Sequence, residues 1–489
     1  MSINDVRRMI MPENNTLIKN SLFNVIYKVL NVIFLFVTSM YISRILLADG
    51  IGAIAAAQNS VKYFTYFAAL GIPTYGIKKI AEKSKEKDTT SKTFSELFII
   101  NAISTTFCLV AYYMMFLPIS GNCSDLYFVT GFSILLNYIN VDWFYQGMEQ
   151  YKYIMLRNTL VKFGSLILIV VCVRSRKDFV LYALILALTV GANNFFNIIH
   201  IWKLTSFTIK ELCFKQHLKP IFVLLGASVA VEVYTLADVS LLDLFHSEEN
   251  IGYYSNAFKC VSVLRTVIVA VCAVFLPRLS NYYASGRMEE FKELIKKGIG
   301  ILFFLTVPVA VGVILLSDYF IVLMFGFAFE PAGSTLAILS VSIISVAISN
   351  FVGSQVLITI GSETIMLKST IIGAIANICL NCALLLPLKQ DGVAIASVVT
   401  ELFVSIYQTR YIIKNKLFSI NKNEIISIIA ASLIMSFIVI CLKVCIHNSI
   451  FCLSLSVCIG ALAYGGVALM MKNESALLLI SAVKKQIKK

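Results

Sequence analysis

Apolar stretches alternate with short polar segments along almost the whole chain, near 18–43, 51–77, 94–116, 125–145, 158–173, 179–200, 219–241, 251–276, 298–316, 332–357, 368–386, 392–413, 425–446 and 450–471. A helix rising about 1.5 Å per residue needs roughly 20 residues to cross a hydrocarbon core of about 30 Å, and most of the stretches approach that length. Lipid offers no hydrogen-bond partner, so each backbone N–H and C=O must be satisfied inside its own segment. The pattern therefore predicts an all-α membrane protein of about 14 transmembrane helices. The connections are short, and none is long enough for a separate soluble domain.

Composition agrees with this picture. The 489 residues are 58% hydrophobic and 14% charged, with a mean hydropathy of +0.84, whereas a soluble domain is about 25% charged. A net charge of +14 would suggest nucleic acid if it were clustered. It is spread over the short segments between apolar runs, so no nucleic-acid partner is expected. Residues 1–16 are polar and no small-residue cleavage site follows the first apolar run, so no signal peptide is expected.

Basic residues mark orientation, because cytoplasmic loops carry the excess of Lys and Arg. Lys78, Lys79, Lys83, Lys85, Lys87 and Lys92 follow the second stretch, Lys203, Lys210 and Lys215 the sixth, and Arg278, Arg287, Lys292, Lys296 and Lys297 the eighth. Lys472, Lys484, Lys485, Lys488 and Lys489 lie in the tail. This places both termini in the cytoplasm, with Arg174, Arg176 and Lys177 as the main exception. The 12 cysteines lie mostly within apolar runs. Cys379 and Cys382 form a C-x-x-C pair without a second pair or histidine cluster, so they read as buried small hydrophobes and not as a metal or redox site. His200, His217, His246 and His447 are scattered, and no metal site is expected.

A weak internal repeat suggests two halves. Ile51-Gly52 with Ala57 precedes Ile251-Gly252 with Ala257 at a fixed spacing, and Asp178 and Val180 resemble Asp391 and Val393. Duplicated halves are common in secondary transporters. The expected organisation is an N-terminal six-helix lobe (1–218), a C-terminal six-helix lobe (219–420), and two additional C-terminal spans with a basic tail (421–489).

Polar side chains inside the spans carry the functional information. A charge at mid-membrane costs about 2.5–3.5 kcal/mol on insertion scales and needs a partner or a wet cavity. Asn20, Asn24, Lys28 and Asn31 share a face of the first span, and Gln58, Lys62 and Thr65 a face of the second. Ser228, Glu232 and Thr235 align in the seventh, close to Asp238. Ser255, Lys259, Ser262 and Thr266 align in the eighth, beside Arg265. Ser397, Glu401, Ser405 and Gln408 align in the twelfth. Any one could serve helix packing, as an ion pair of Glu232 with Lys259 would. The set as a whole, concentrated in the first two helices of each half, predicts a water-filled cationic cavity. Lys suits phosphate as a compact charge. Tyr27, Tyr63 and Tyr66 read as belt or core residues ahead of sugar-stacking ones. Gly71, Pro73 and Pro308 are expected kink points in spans 2 and 9. The apolar stretch 325–333 is too short to span and is expected to dip into the membrane interface.

The strings Leu17-Ile18-Lys19-Asn20, Tyr27-Lys28 and Tyr41-Ile42-Ser43-Arg44 open a recognisable series. It continues with residues 67–77 (FAALGIPTYGI), 94–98 (FSELF) and 143–147 (WFYQG), then Glu149, Arg157-Asn158 and Lys162. It ends with Asp238, Gly252-Tyr253-Tyr254, Lys259 and residues 276–280 (LPRLS). In order and spacing this resembles the Wzx-type O-antigen and capsular polysaccharide flippases of the multidrug/oligosaccharidyl-lipid/polysaccharide (MOP) superfamily, over most of residues 17–413. At Leu35 and Met40, where such proteins often carry Pro, this chain has none.

The resemblance implies a two-lobed, MATE-like bundle with alternating access. It implies an undecaprenyl-diphosphate-linked oligosaccharide as cargo, a bacterial inner-membrane location, and a polysaccharide polymerase and a chain-length regulator as partners. Lys28, Lys62, Lys259 and Arg265 are the expected diphosphate contacts, with Asn24, Asn31 and Gln58 beside them. Glu232, Asp238 and Glu401 are candidates for H⁺ or Na⁺ coupling, and no other cofactor is expected. Two alternatives are a membrane-embedded polymerase or glycosyltransferase, for which the outer loops are short and charge-poor, and a multidrug exporter, whose cationic drugs would favour an acidic cavity.

Overall fold

The computed structural model describes residues 14–83, 86–118, 121–210, 212–418, 421–446 and 448–487, excepting the side chains of 14–33, 87, 122, 227–231, 233–235, 479 and 482–487. The described residues are helical with short connections. They form two compact units that divide between Leu236 and Ala237.

In the first unit, α1 (Asn14–Ala69) breaks at Leu47, whose φ of 58° and ψ of −169° turn the chain between the first and second spans. It stops where Leu70 and Gly71 adopt φ of 53° and 81°. Glycine is required at 71 twice over, since a Cβ there would also lie 2.8 Å from the backbone nitrogen of Leu225. The short helix α2 (Ile72–Lys83) carries Pro73 in its first turn, where a missing N–H costs no hydrogen bond. Then follow α3 (Lys87–Phe116), α4 (Ser124–Leu135), α5 (Asp142–Gly147), α6 (Tyr151–Cys172), α7 (Phe179–Ile201) and α8 (Lys215–Phe245). Trp143, Phe144 and Tyr145 of α5 are buried with Ile72, Tyr75 and Ile80 of α2 and with Phe94 and Leu97 of α3. Gly76 lies directly beneath Trp143, so that a Cβ would come within 2.4 Å of the indole.

The second unit contains α9 (Glu248–Ala273), α10 (Leu276–Ala284), α11 (Met288–Phe325) and α12 (Ala332–Asn350), which continues as a π turn over Phe351–Leu357. Next, α13 (Glu363–Lys414) breaks at Lys389, with φ of 50° and ψ of −131°. The last helices are α14 (Lys422–Cys445), α15 (Ser449–Met470) and α16 (Glu474–Ile487). Helices α14 and α15 pack on each other and on α11, where the Tyr464 hydroxyl donates to the Phe304 carbonyl at 2.9 Å.

Ten stretches among the described residues are long and apolar enough to cross a membrane, and two of them, Phe34–Lys83 and Glu363–Lys414, each hold two predicted spans. Several expectations need correction. The second span, read as 51–77, is interrupted after Ala69, where Leu70 and Gly71 take positive φ at the expected kink point. The span read as 125–145 breaks into α4, a 3₁₀ turn at Leu136–Ile139 and α5. Side chains satisfy the carbonyls this frees: Asn194 Nδ2 donates to Leu136 O (2.9 Å), Asn101 Nδ2 to Asn137 O (2.7 Å) and Trp143 Nε1 to Asn140 O (3.2 Å). Pro308 sits within α11 without ending it. Cys379 and Cys382 are exposed, so they lie on the outer, apolar face of α13 and not in its core. Around the 325–333 stretch, Gly326 turns the chain at φ 93°, leaving Phe329 buried and Phe327 exposed.

Candidate functional site

In the first unit the second half of α1 presents Gln58, half-buried, and Lys62, exposed. Thr65, one turn further, gives its hydroxyl to the Val61 carbonyl at 2.9 Å, so it serves its own helix. Glu232 of α8 lies within Coulombic reach of Lys62 and in hydrogen-bond contact with Tyr66. The structure thus brings Lys62, Tyr66 and Glu232 together. Tyr66, read from the sequence as belt or core, is the phenol that holds the acid. Asn24, Lys28 and Asn31 lie outside the residues whose side chains are described.

A second polar group in this unit is built from residues the stripes did not include. Arg157 of α6 is buried and pairs with Asp142 of α5 at 2.9 Å. Its Nε donates to Asn193 Oδ1 at 3.1 Å, and its Nη1 also meets Asn197. Asn197 Nδ2 donates to the same Asp142 oxygen at 2.5 Å. At the start of α8, His217 Nε2 meets Glu96 Oε2 at 2.7 Å, and the Tyr75 hydroxyl meets His217 Nδ1 at 2.8 Å. The backbone N–H of Cys213 donates to Glu96 Oε1 at 2.7 Å. These side chains tie α2, α3 and α8 together.

The second unit holds the denser cluster. Asp238, at the C-terminal part of α8, is buried and accepts three hydrogen bonds: from the Tyr254 hydroxyl (2.6 Å), Asn381 Nδ2 (2.9 Å) and the Ser397 hydroxyl (2.5 Å). Asn377 Oδ1 accepts from Asn381 Nδ2 at 3.0 Å. The Oδ1 of Asn381 is buried without a hydrogen-bond donor among the described residues. One turn beyond Ser397, Glu401 faces Arg265 of α9 with Oε1 3.7 Å from Nη1. Arg265 Nη2 donates to Ser342 of α12 at 2.7 Å. Lys259 donates to Asn256 Oδ1 at 3.1 Å. Ser262, Thr266 and Ser405 spend their hydroxyls on carbonyls three or four residues back, and Gln408 donates to Ser369 at 2.9 Å.

Three of the predicted residues, Asp238, Arg265 and Glu401, therefore converge inside one unit. Sequence reasoning missed Tyr254, Ser342, Asn377 and Asn381 as their partners. A signal existed for the last two: Asn377 and Asn381 are one helical turn apart within an apolar run.

Helical units with ionisable groups set inside membrane-length segments define a multi-pass membrane protein. Among solved structures, the chain is similar to the lipid II flippase MurJ in an inward closed conformation, with a TM-score of 0.68 and 18% identity over 91% of this chain and 99% of that one. It is also similar to an inward-facing multidrug-resistance MATE family transporter of the MOP superfamily, with a TM-score of 0.61 and 14% identity over 78% of this chain and 94% of that one. The chain belongs to the polysaccharide biosynthesis protein family, whose pattern matches residues 17–283, and the pattern of the lipid II flippase MurJ family matches residues 205–464. A curated relative in Shigella dysenteriae, a putative O-antigen transporter, is 22% identical across 78% of this chain and 96% of its own length. One in Escherichia coli, also called a putative O-antigen transporter, is 20% identical across 78% and 92%. With both patterns covering more than half of it, the chain is a flippase, a transporter and not an enzyme.

Proposed function

We propose that this flippase carries an undecaprenyl-diphosphate-linked oligosaccharide across the bacterial inner membrane by alternating access, feeding a polysaccharide polymerase and its chain-length regulator. Lys62, Lys259 and Arg265, with Lys28, Asn24, Asn31 and Gln58 on the remaining stripes, offset the desolvation of the diphosphate and sugar while the prenyl tail stays in lipid. The observation that carries the reading is Arg265. A guanidinium in an apolar span is costly, yet it is oriented by Ser342 and matched by a carboxylate that an anionic cargo can replace. Both termini are cytoplasmic in this proposal, following the basic loops.

The coupling ion is Na⁺. Asp238, Asn377, Asn381 and Ser397 offer one carboxylate and several neutral oxygens, the donor type that suits a hard cation, whereas a proton needs a single base. The test is complementation of a strain lacking the gene. Arg265→Ala and Lys62→Ala are expected to abolish surface polysaccharide, with the variants present in the membrane and lipid-linked glycan retained on the inner leaflet. Normal surface polymer in both variants overturns the cargo assignment.

A further inference from the structure

Arg265 is held by two groups of different character. The Ser342 hydroxyl gives its proton to the Leu339 carbonyl at 2.5 Å, which leaves its oxygen to accept from Arg265 Nη2 at 2.7 Å. That bond is short and directed. The carboxylate of Glu401 stands 3.7 Å from Nη1, too far for a hydrogen bond, so it neutralises the guanidinium without locking it. The Nε of Arg265 is buried with no acceptor among the described residues, so the guanidinium still has donor capacity for another anion. Glu401 also faces the cation cluster: it follows Ser397 by one helical turn on α13, Ser397 bonds Asp238, and Glu401 is Coulombically coupled to Asp238 as well as to Arg265.

We infer that Ser342 and Glu401 position Arg265, and that Glu401 is an exchangeable counterion linking cargo binding at Arg265 to cation binding at Asp238. This rests on the cargo and ion assignments proposed above. The sign follows from charge. A cargo phosphate on Arg265 replaces Glu401, whose unbalanced carboxylate then makes the potential at Asp238 more negative and attracts a cation. A cation at Asp238 draws on Glu401 and frees the guanidinium for phosphate. Each ligand therefore tightens the other, and by linkage the two factors are equal. With neither bound, Arg265 and Glu401 neutralise one another, so the empty carrier does not present an isolated charge. Ser342 keeps the guanidinium oriented during the exchange.

The experiment uses the full chain in detergent, with ²²Na⁺ binding measured at increasing farnesyl diphosphate and farnesyl diphosphate binding measured at increasing Na⁺. In the unaltered protein each ligand is expected to tighten the other by the same factor, roughly fivefold or more. In Glu401→Gln both ligands still bind and the factor falls to one. Ser342→Ala is expected to weaken the diphosphate while leaving Na⁺ affinity in its absence unchanged. A factor that survives in Glu401→Gln overturns the inference, as does independent binding of the two ligands in the unaltered protein. Failure of the underlying reading looks different: Na⁺ binding that is absent, or unaffected by Asp238→Asn, removes the ion site, and diphosphate binding indifferent to Arg265→Ala removes the cargo site.

Discussion

At the residue scale, two sorts of polar or small side chain look alike in the sequence and differ in the structure. Lys62, Arg265, Asp238 and Glu401 have side-chain partners on other helices or at a distance along the chain. Ser262, Thr266 and Ser405 lie on the same stripes but turn back on their own helices. Periodicity places a residue on a face, and only packing decides whether its polar group is spent locally. Ser262→Ala and Ser405→Ala are thus expected to retain flipping, measured as surface polysaccharide, where Arg265→Ala loses it. Gly71, Gly76 and Gly147, in the strings that carry the family resemblance, have a steric cause. Gly76→Val would drive a methyl-bearing carbon into the Trp143 indole, and overpacking of this kind costs about 1–3 kcal/mol. The purified variant should melt at a lower temperature than the unaltered protein.

At the element scale, helix existence was legible and helix ends were not. The apolar runs fall on helices, ten stretches of which are long and apolar enough to cross a membrane among the described residues, because the hydrocarbon thickness fixes how long a run must be. The interruption at Leu70-Gly71 and the break of the fourth span at Leu136–Ile139 depend on partners from elsewhere: a backbone passing close to Gly71, and Asn101 and Asn194 serving freed carbonyls. Glu96 and His217 show the same limit, being 121 residues apart in sequence and joined at 2.7 Å. Leaving a buried acceptor such as the Glu96 carboxylate without its donor costs about 1–3 kcal/mol. His217→Ala is accordingly expected to lower the melting temperature strongly, and a variant that melts unchanged would show that the tie between α3 and α8 is dispensable. Cys379 and Cys382 lie on the exposed face of α13, so the double change Cys379→Leu with Cys382→Leu should leave both melting and surface polysaccharide unaltered.

At the scale of the whole molecule, charge asymmetry and duplication were the sequence's guides. Ile51, Gly52 and Ala57 are buried in the first unit, and Ile251, Gly252 and Ala257 in the second, each shortly after a chain reversal. The proposed orientation makes a direct prediction: a single cysteine at Lys79 should resist a membrane-impermeant maleimide in intact cells and react once the membrane is opened. Labelling in intact cells would reverse the assigned topology. From the sequence it follows that the chain is helical, that it belongs in a membrane, roughly where its apolar helices fall, and that cations and acids are set within them. This is so because backbone satisfaction in lipid and the cost of mid-membrane charge act on local segments. The tertiary structure alone decided who partners whom: Asp238 with Tyr254, Asn381 and Ser397, Arg265 with Ser342 and Glu401, and Glu232 with Tyr66. Such pairings depend on how separate helices rotate and pack against one another, which hydrophobic length and stripe spacing along each helix do not encode.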